Sequence, residues 1–250
     1  MVKEMISDRE KLELVRTIRV VLENGDRLAK DAEYLCEMDR FPSAFALCIL
    51  AKEEYAKAFM LHLIYVEAIP WTADIQRVLR DHTSKQLVAT IMDFLDPDVE
   101  DFAAWLKTRS ESGNELPRQI ADALNIIRHE RVPRQGPWAW TGGEDDPPCD
   151  PDARQVANGH IDRQKQAALY VGVGTKFQVT SNPSNLNSDI VNNELETTRH
   201  FAQLLGRYDD SLQPLKSVEY EKICWSFRVM FGLCTVEDYN SNWWSWKDPF

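Results

Sequence analysis

Glu54 and His82 are the two titratable side chains whose placement points to chemistry. The stretch from Phe45 to Leu61 reads as an apolar helix, and at about 100° per residue Leu47, Leu50, Ala51, Ala58, Leu61 and Tyr65 share one stripe. Glu54 projects from the middle of that stripe. A carboxylate so placed must find a partner or take up a proton. Lys57 lies within i,i+3 reach, so a structural ion pair accounts for the acid as readily as chemistry does. His82 occupies a similar stripe with Ile75, Val78, Leu79, Gln86 and Ala89, and it too is followed one turn later by a lysine, Lys85. If these two helices pack antiparallel, Glu54 and His82 meet in the interior. A histidine hydrogen-bonded to a carboxylate is a competent acid or base near neutral pH. The plain alternative is a histidine satisfied by the core.

Arg77 to His82 and Arg154 to His160 also match a spacing used by RNA-cleaving helical domains, arginine followed four to six residues later by histidine. The pattern is weak by itself, because arginine is common in this chain. In an unbroken helix Arg77 and His82 point about 140° apart, an objection that disappears across a dimer interface. Other chemistries lack their motifs. The chain has no Glu-x-x-His, no phosphate-binding glycine loop and no Gly-x-Ser-x-Gly elbow. Cys36, Cys48, Cys149, Cys224 and Cys234 form no Cys-x-x-Cys pair and are odd in number, which argues against a disulfide framework or a zinc knuckle. No metal and no cofactor is expected.

The elements that must position these residues follow from an ordinary globular composition, 44% hydrophobic and 28% charged over 250 residues. The longest apolar run is interrupted by Lys52, Glu53, Glu54, Lys57 and His62, which excludes a conventional membrane span, and the first ten residues lack a signal-peptide core. The expected compartment is the cytoplasm. A net charge of −11 opposes a broad basic groove, so any nucleic acid must be met by a local cationic site.

Ser7-x-x-Glu10 forms a capping box opening a helix to about Met38, with a bend expected at Gly25. A second helix runs from an N-cap at Ser43 to Pro70, and a third from Thr72 to about Leu95. Helical segments follow over 99–110, 117–130, 152–169, 188–206 and 217–231, with a short extended hairpin near 169–180. A long Pro/Gly-rich loop spans 132–151 and holds Trp138 and Trp140; a Trp-rich tail closes the chain at Trp243 to Trp246.

In order, the segments 24–35, 44–57 with its Glu-Glu-x-x-Lys, Asp81-His82-x-x-Lys85, and 163–171 with the helix to about Leu205 resemble the AbiV family of abortive-infection proteins, among the HEPN-type helical domains. The family usually carries an acid after the Leu-Tyr-Val where this chain has Gly172. The resemblance implies an all-α, HEPN-like helical bundle over 1–210, with an insertion at about 96–152 and a C-terminal helix and tail over 211–250 packed upon it. It implies anti-phage defence that halts growth or translation, by a homodimer triggered by a phage-encoded activator. By analogy with HEPN relatives it also implies metal-independent RNA cleavage.

The residues expected to carry that chemistry are His82 as acid or base and Glu54 as its orienting partner. Lys57, Lys85, Arg163 and Lys165 would meet the phosphate charge. Arg77, Arg154 and His160 are weaker substrate-binding candidates. The rival reading is a non-catalytic helical protein that binds a phage or translation-related partner; a lower one is a small-molecule-binding bundle.

Overall fold

The capping box predicted from sequence opens α1 (Asp8–Glu37): the Glu10 amide donates to Ser7 Oγ at 3.4 Å and the Ser7 amide to Glu10 Oε2 at 2.9 Å. The computed structural model describes residues 6–95, 118–127, 130, 150–206, 218–231 and 233–234. The helix expected over 99–110, Trp138 and Trp140 with nearly all of their loop, and the tryptophan tail lie outside those residues. α2 (Phe41–Tyr65) starts two residues before the expected Ser43, with Pro42 in its first turn.

α2 is the axis of the bundle. It is apolar around most of its circumference, with sixteen of its 25 residues buried and only Ser43 exposed, as expected of a helix with neighbours on most sides. α1 lies along its length. Gly25 lies within one unbroken α1 and admits the Tyr55 ring of α2, because a Cβ at that position would lie 2.7 Å from Tyr55 Cε1. Tyr55 donates its hydroxyl proton to Asp26 at 2.8 Å, closing the contact.

The third helix is two helices, α3 (Ala73–Val78) and α4 (His82–Asp93). Between them the Arg80 amide reaches the Arg77 carbonyl at 3.0 Å and the Asp81 amide the Val78 carbonyl at 3.2 Å, tightening the turn. Asp81 then caps α4, its Oδ2 accepting from the Ser84 amide at 2.9 Å and the Ser84 hydroxyl at 2.5 Å. This break makes His82 the first residue of a helix instead of the middle of one. After α5 (Arg118–Ile126), the segment expected as one helix over 152–169 also divides, into α6 (Pro151–Ala157) and α7 (His160–Leu169), at Gly159 with φ +77°.

A hairpin of β1 (Gly172–Val173) and β2 (Val179–Ser181), antiparallel, leads to α8 (Ser188–Gly206) and α9 (Val218–Met230). α1, α4, α7 and α8 all pack on α2. The architecture is the all-α bundle with one short hairpin that the sequence implied. α9 buries Tyr220, Ile223, Cys224 and Phe227, and the Tyr220 hydroxyl meets buried His62 Nε2 at 2.7 Å. Burial pushes the His62 imidazole down to about 4, so the ring is neutral at physiological pH. Cys48 and Cys224 are buried thiols, pushed up to about 12 by desolvation. No helix among the described residues is long and apolar enough to cross a membrane.

Replacing Gly25 tests the α1–α2 contact. Alanine is the better helix former, yet Gly25→Ala should destabilise the protein by about 1–3 kcal/mol in chemical denaturation, since the added methyl overpacks a fully buried ring. A stabilised variant would contradict the close approach.

Candidate functional site

Three consecutive charged residues leave α2 in three directions, because each step around a helix turns about 100°. Lys52 reaches Glu194 of α8 at 2.5 Å. Glu54 turns to Lys57 at 2.5 Å. Glu53 points into the junction of α2, α4 and α7, where it is only 2% exposed. Its Oε1 accepts from Gln86 Nε2 and from Lys165 Nζ, each at 3.0 Å. Its Oε2 takes His82 Nδ1 at 2.5 Å and Lys85 Nζ at 3.1 Å. Asp162 Oδ1 closes the cluster, 2.9 Å from Lys165 Nζ.

Burial opposes the charge on Glu53, but the Lys85 ammonium and the hydrogen bonds from His82 and Lys165 outweigh it and hold the carboxyl below its usual range. For Lys165, burial favours the neutral amine; the bonds to Asp162 and Glu53 outweigh that and hold the amine above its usual range. The Glu53 carboxylate and the Lys165 ammonium therefore stay ionised together inside the protein.

His82 stands at the rim, its side chain 53% exposed. A carboxylate can only accept, so the contact with Glu53 places the ring proton on Nδ1 and leaves the lone pair on Nε2. Lys165 Nζ approaches the same Nδ1 at 3.5 Å, but both are donors, and the shorter contact to the carboxylate decides the tautomer. In the neutral ring held this way, Nε2 faces outward as the atom that can act as a base.

Glu53, His82 and Asp162 also offer three ligand atoms within 4.8 Å of one another, the spacing of a cation site. Lys165 already supplies the cation there, with its ammonium 3.0 Å from Glu53, 2.9 Å from Asp162 and 3.5 Å from His82. A divalent ion would have to displace it and then face Lys85.

Of the residues expected from sequence, His82, Lys85 and Lys165 converge. Glu54 does not meet His82; its neighbour Glu53 does, because one step around α2 exchanges the side that carries Lys57 for the face toward α4. Arg77 pairs with Asp74 at 2.9 Å and Arg154 with Glu130 at 2.7 Å. Arg163 donates to the Asn158 carbonyl at 2.6 Å and, two residues from Lys165, leaves the other side of α7. His160 opens α7. Glu53, Gln86 and Asp162 are the site residues that sequence reasoning missed. Asp162-x-x-Lys165 repeats the acid-to-lysine spacing of Glu54 and Lys57, which was the available signal.

A family model described as AbiV, of the HEPN type, matches residues 13–203, and the chain belongs to that family. No curated protein and no solved structure matches the chain. The match spans every helix that contributes to the Glu53 cluster and stops before α9.

The two adjacent acids should separate sharply on mutation. Glu53→Gln strands the buried Lys85 ammonium and leaves Lys165 with Asp162 alone, and should cost about 3–5 kcal/mol, whereas Glu54→Gln, which loses one part-exposed pair, should cost about 1 kcal/mol or less. Because the folded carboxyl of Glu53 titrates below its ordinary 4.5, its stabilisation is complete above that pH and is lost as pH falls through the lower folded value. Urea midpoints between neutral and strongly acid pH should show this limb in the wild type and lose it in Glu53→Gln. Equal losses for the two variants would contradict the geometry.

Proposed function

We propose that this AbiV-family chain is an abortive-infection effector that halts growth or translation in phage-infected cells by cleaving RNA without a metal ion. His82 is the catalytic residue of this reading, and Glu53, not Glu54, is its positioning residue. The observation that carries it is the Glu53–His82 contact at 2.5 Å, on an imidazole 53% exposed, with the carboxylate itself 2% exposed.

His82 Nε2 takes the proton of a ribose 2′-hydroxyl as the 2′-oxygen bonds to phosphorus. The bond from phosphorus to the 5′-oxygen breaks, and the imidazolium returns its proton to that departing oxygen. A 2′,3′-cyclic phosphate and a 5′-hydroxyl result, with atoms and charge in balance. Lys85 and Lys165 keep Glu53 ionised and set a positive floor beneath the reacting phosphate. Lys165 fills the place between Glu53, Asp162 and His82 that a metal would take, which supports the metal-independent form of the reaction. The active species is a homodimer released by a phage-encoded activator.

One observation favours the non-catalytic reading. Both lysine side chains are only 7% exposed and turn inward on Glu53, so the cluster is satisfied without a substrate. In that reading a partner protein, not RNA, meets the surface.

Purified wild type, His82→Ala and Glu53→Gln, incubated with total RNA in chelator with and without lysate of phage-infected cells, distinguish the two. The cleavage reading expects cyclic-phosphate ends from the wild type and a loss of about 10²–10⁴-fold in His82→Ala that still melts as a folded protein. Intact RNA in every tube, activated ones included, would reject nuclease action. Loss of defence only in variants that also lose their fold would favour the binding reading.

A further inference from the structure

Gln86 is a neutral donor in a cluster of charges, and half of its amide is left without a partner. The residue is 3% exposed within α4, and its Nε2 donates to Glu53 Oε1 at 3.0 Å. A carboxylate can only accept, so the amide nitrogen faces Glu53 and the amide oxygen is turned away from it. Gln86 Oε1 is buried there with no hydrogen-bond donor among the described residues. A buried amide oxygen without a donor destabilises a fold, and a methionine or leucine would fill the same space without one.

What the glutamine supplies is geometric. His82 and Gln86 stand four residues apart on α4, so their side chains rise from one face. His82 Nδ1 donates to Glu53 Oε2 at 2.5 Å while Gln86 donates to Oε1, and one carboxylate is thereby held at both oxygens from a single helix. The other two donors differ in kind. Lys85 and Lys165 present ammonium groups, each with three protons on a four-carbon stem, and these can follow a carboxylate as it turns. The planar amide has fixed donor directions and cannot. Rotation about the last bond of a glutamate side chain meets only a shallow preference, so the ammonium groups alone leave the carboxylate free to swing away from the ring.

We propose that Gln86 is a second positioning residue of this site: its amide pins Oε1 of Glu53 so that Oε2 stays on His82 Nδ1 and the ring keeps a bare Nε2, and it does so while leaving its own oxygen stranded. The inference rests on the reading of His82 as the catalytic imidazole and names the group that keeps its tautomer. Gln86 touches no reacting atom; it acts through Glu53. Stability and positioning therefore depend on it differently. Removing the amide deprives Glu53 of one donor, leaving Lys165 on Oε1, and at the same time removes the stranded oxygen. The fold loses little by the exchange, whereas the ring loses the bond that orders its partner.

Gln86→Met and Gln86→Leu, each compared with the wild type and Glu53→Gln, test it on the full chain without RNA. The carbon-13 shift of the His82 ring carbon Cδ2 differs between the two tautomers and is read where the ring is neutral; urea midpoints are read on the same samples. The ratio of the Nδ1-protonated to the Nε2-protonated ring should fall about tenfold in both variants, the weight of one hydrogen bond to a charged group, with urea midpoints equal to or above that of the wild type. Unchanged ratios in folded variants would overturn the proposal. Midpoints that fall as far as that of Glu53→Gln would overturn it too, since Gln86 would then be a structural member of the core. A ratio that shifts in Glu53→Gln but in neither Gln86 variant removes this inference and leaves the role of Glu53 standing. Failure of RNA cleavage removes the proposed chemistry and leaves the tautomer result intact.

Discussion

A carboxylate that is 2% exposed keeps its charge only if the protein surrounds it with donors, and Glu53 has four, drawn from two other helices. That requirement ties the bundle together. α4 must present His82, Lys85 and Gln86 from its first turns, and α7 must bring Lys165 across from a different part of the chain. The two helix breaks serve the same end. Asp81 restarts the chain so that His82 falls at a helix N-terminus near the rim, and Gly159 redirects it so that Lys165 points inward. Moving either break by one residue would turn the donors away, since each step rotates a side chain by about 100°.

Much of the fold was legible from caps and apolar spacing. The Ser7–Glu10 box, the boundaries of α8 and α9, the hairpin and the AbiV-like order of segments all follow from residue types. The Arg80–Asp81 break was harder to see because neither glycine nor proline marks it. Asp81 followed by Ser84 was its only local sign, and an aspartate cap competes with a run of residues equally content in a continuous helix.

The choice between Glu53 and Glu54 failed for a different reason. An amphipathic helix reveals its inner face by the polarity of its outer one, but α2 is buried on nearly all sides and has no outer face to read. Which acid pairs locally and which enters the junction is fixed by where α4 and α7 pack, and that information is not local to α2. Lys85 is legible as the cation one turn after His82, and Lys165 through the AbiV-like segment 163–171; that both turn inward on Glu53 is set by the packing of α4 and α7.

The site is at once electrostatically closed and chemically open. Its charges cancel among Glu53, Lys85, Lys165 and Asp162, while a ring with one nitrogen committed inward remains accessible. The central claim is that Glu53 fixes the tautomer of His82. Nitrogen-15 correlation spectra of histidine-labelled protein, taken where the ring is neutral, measure this directly. The account predicts a proton on Nδ1 and a bare Nε2 for His82 in the wild type and in Glu54→Gln, with that signature lost in Glu53→Gln. A His82 protonated on Nε2, or one indifferent to Glu53, would contradict it.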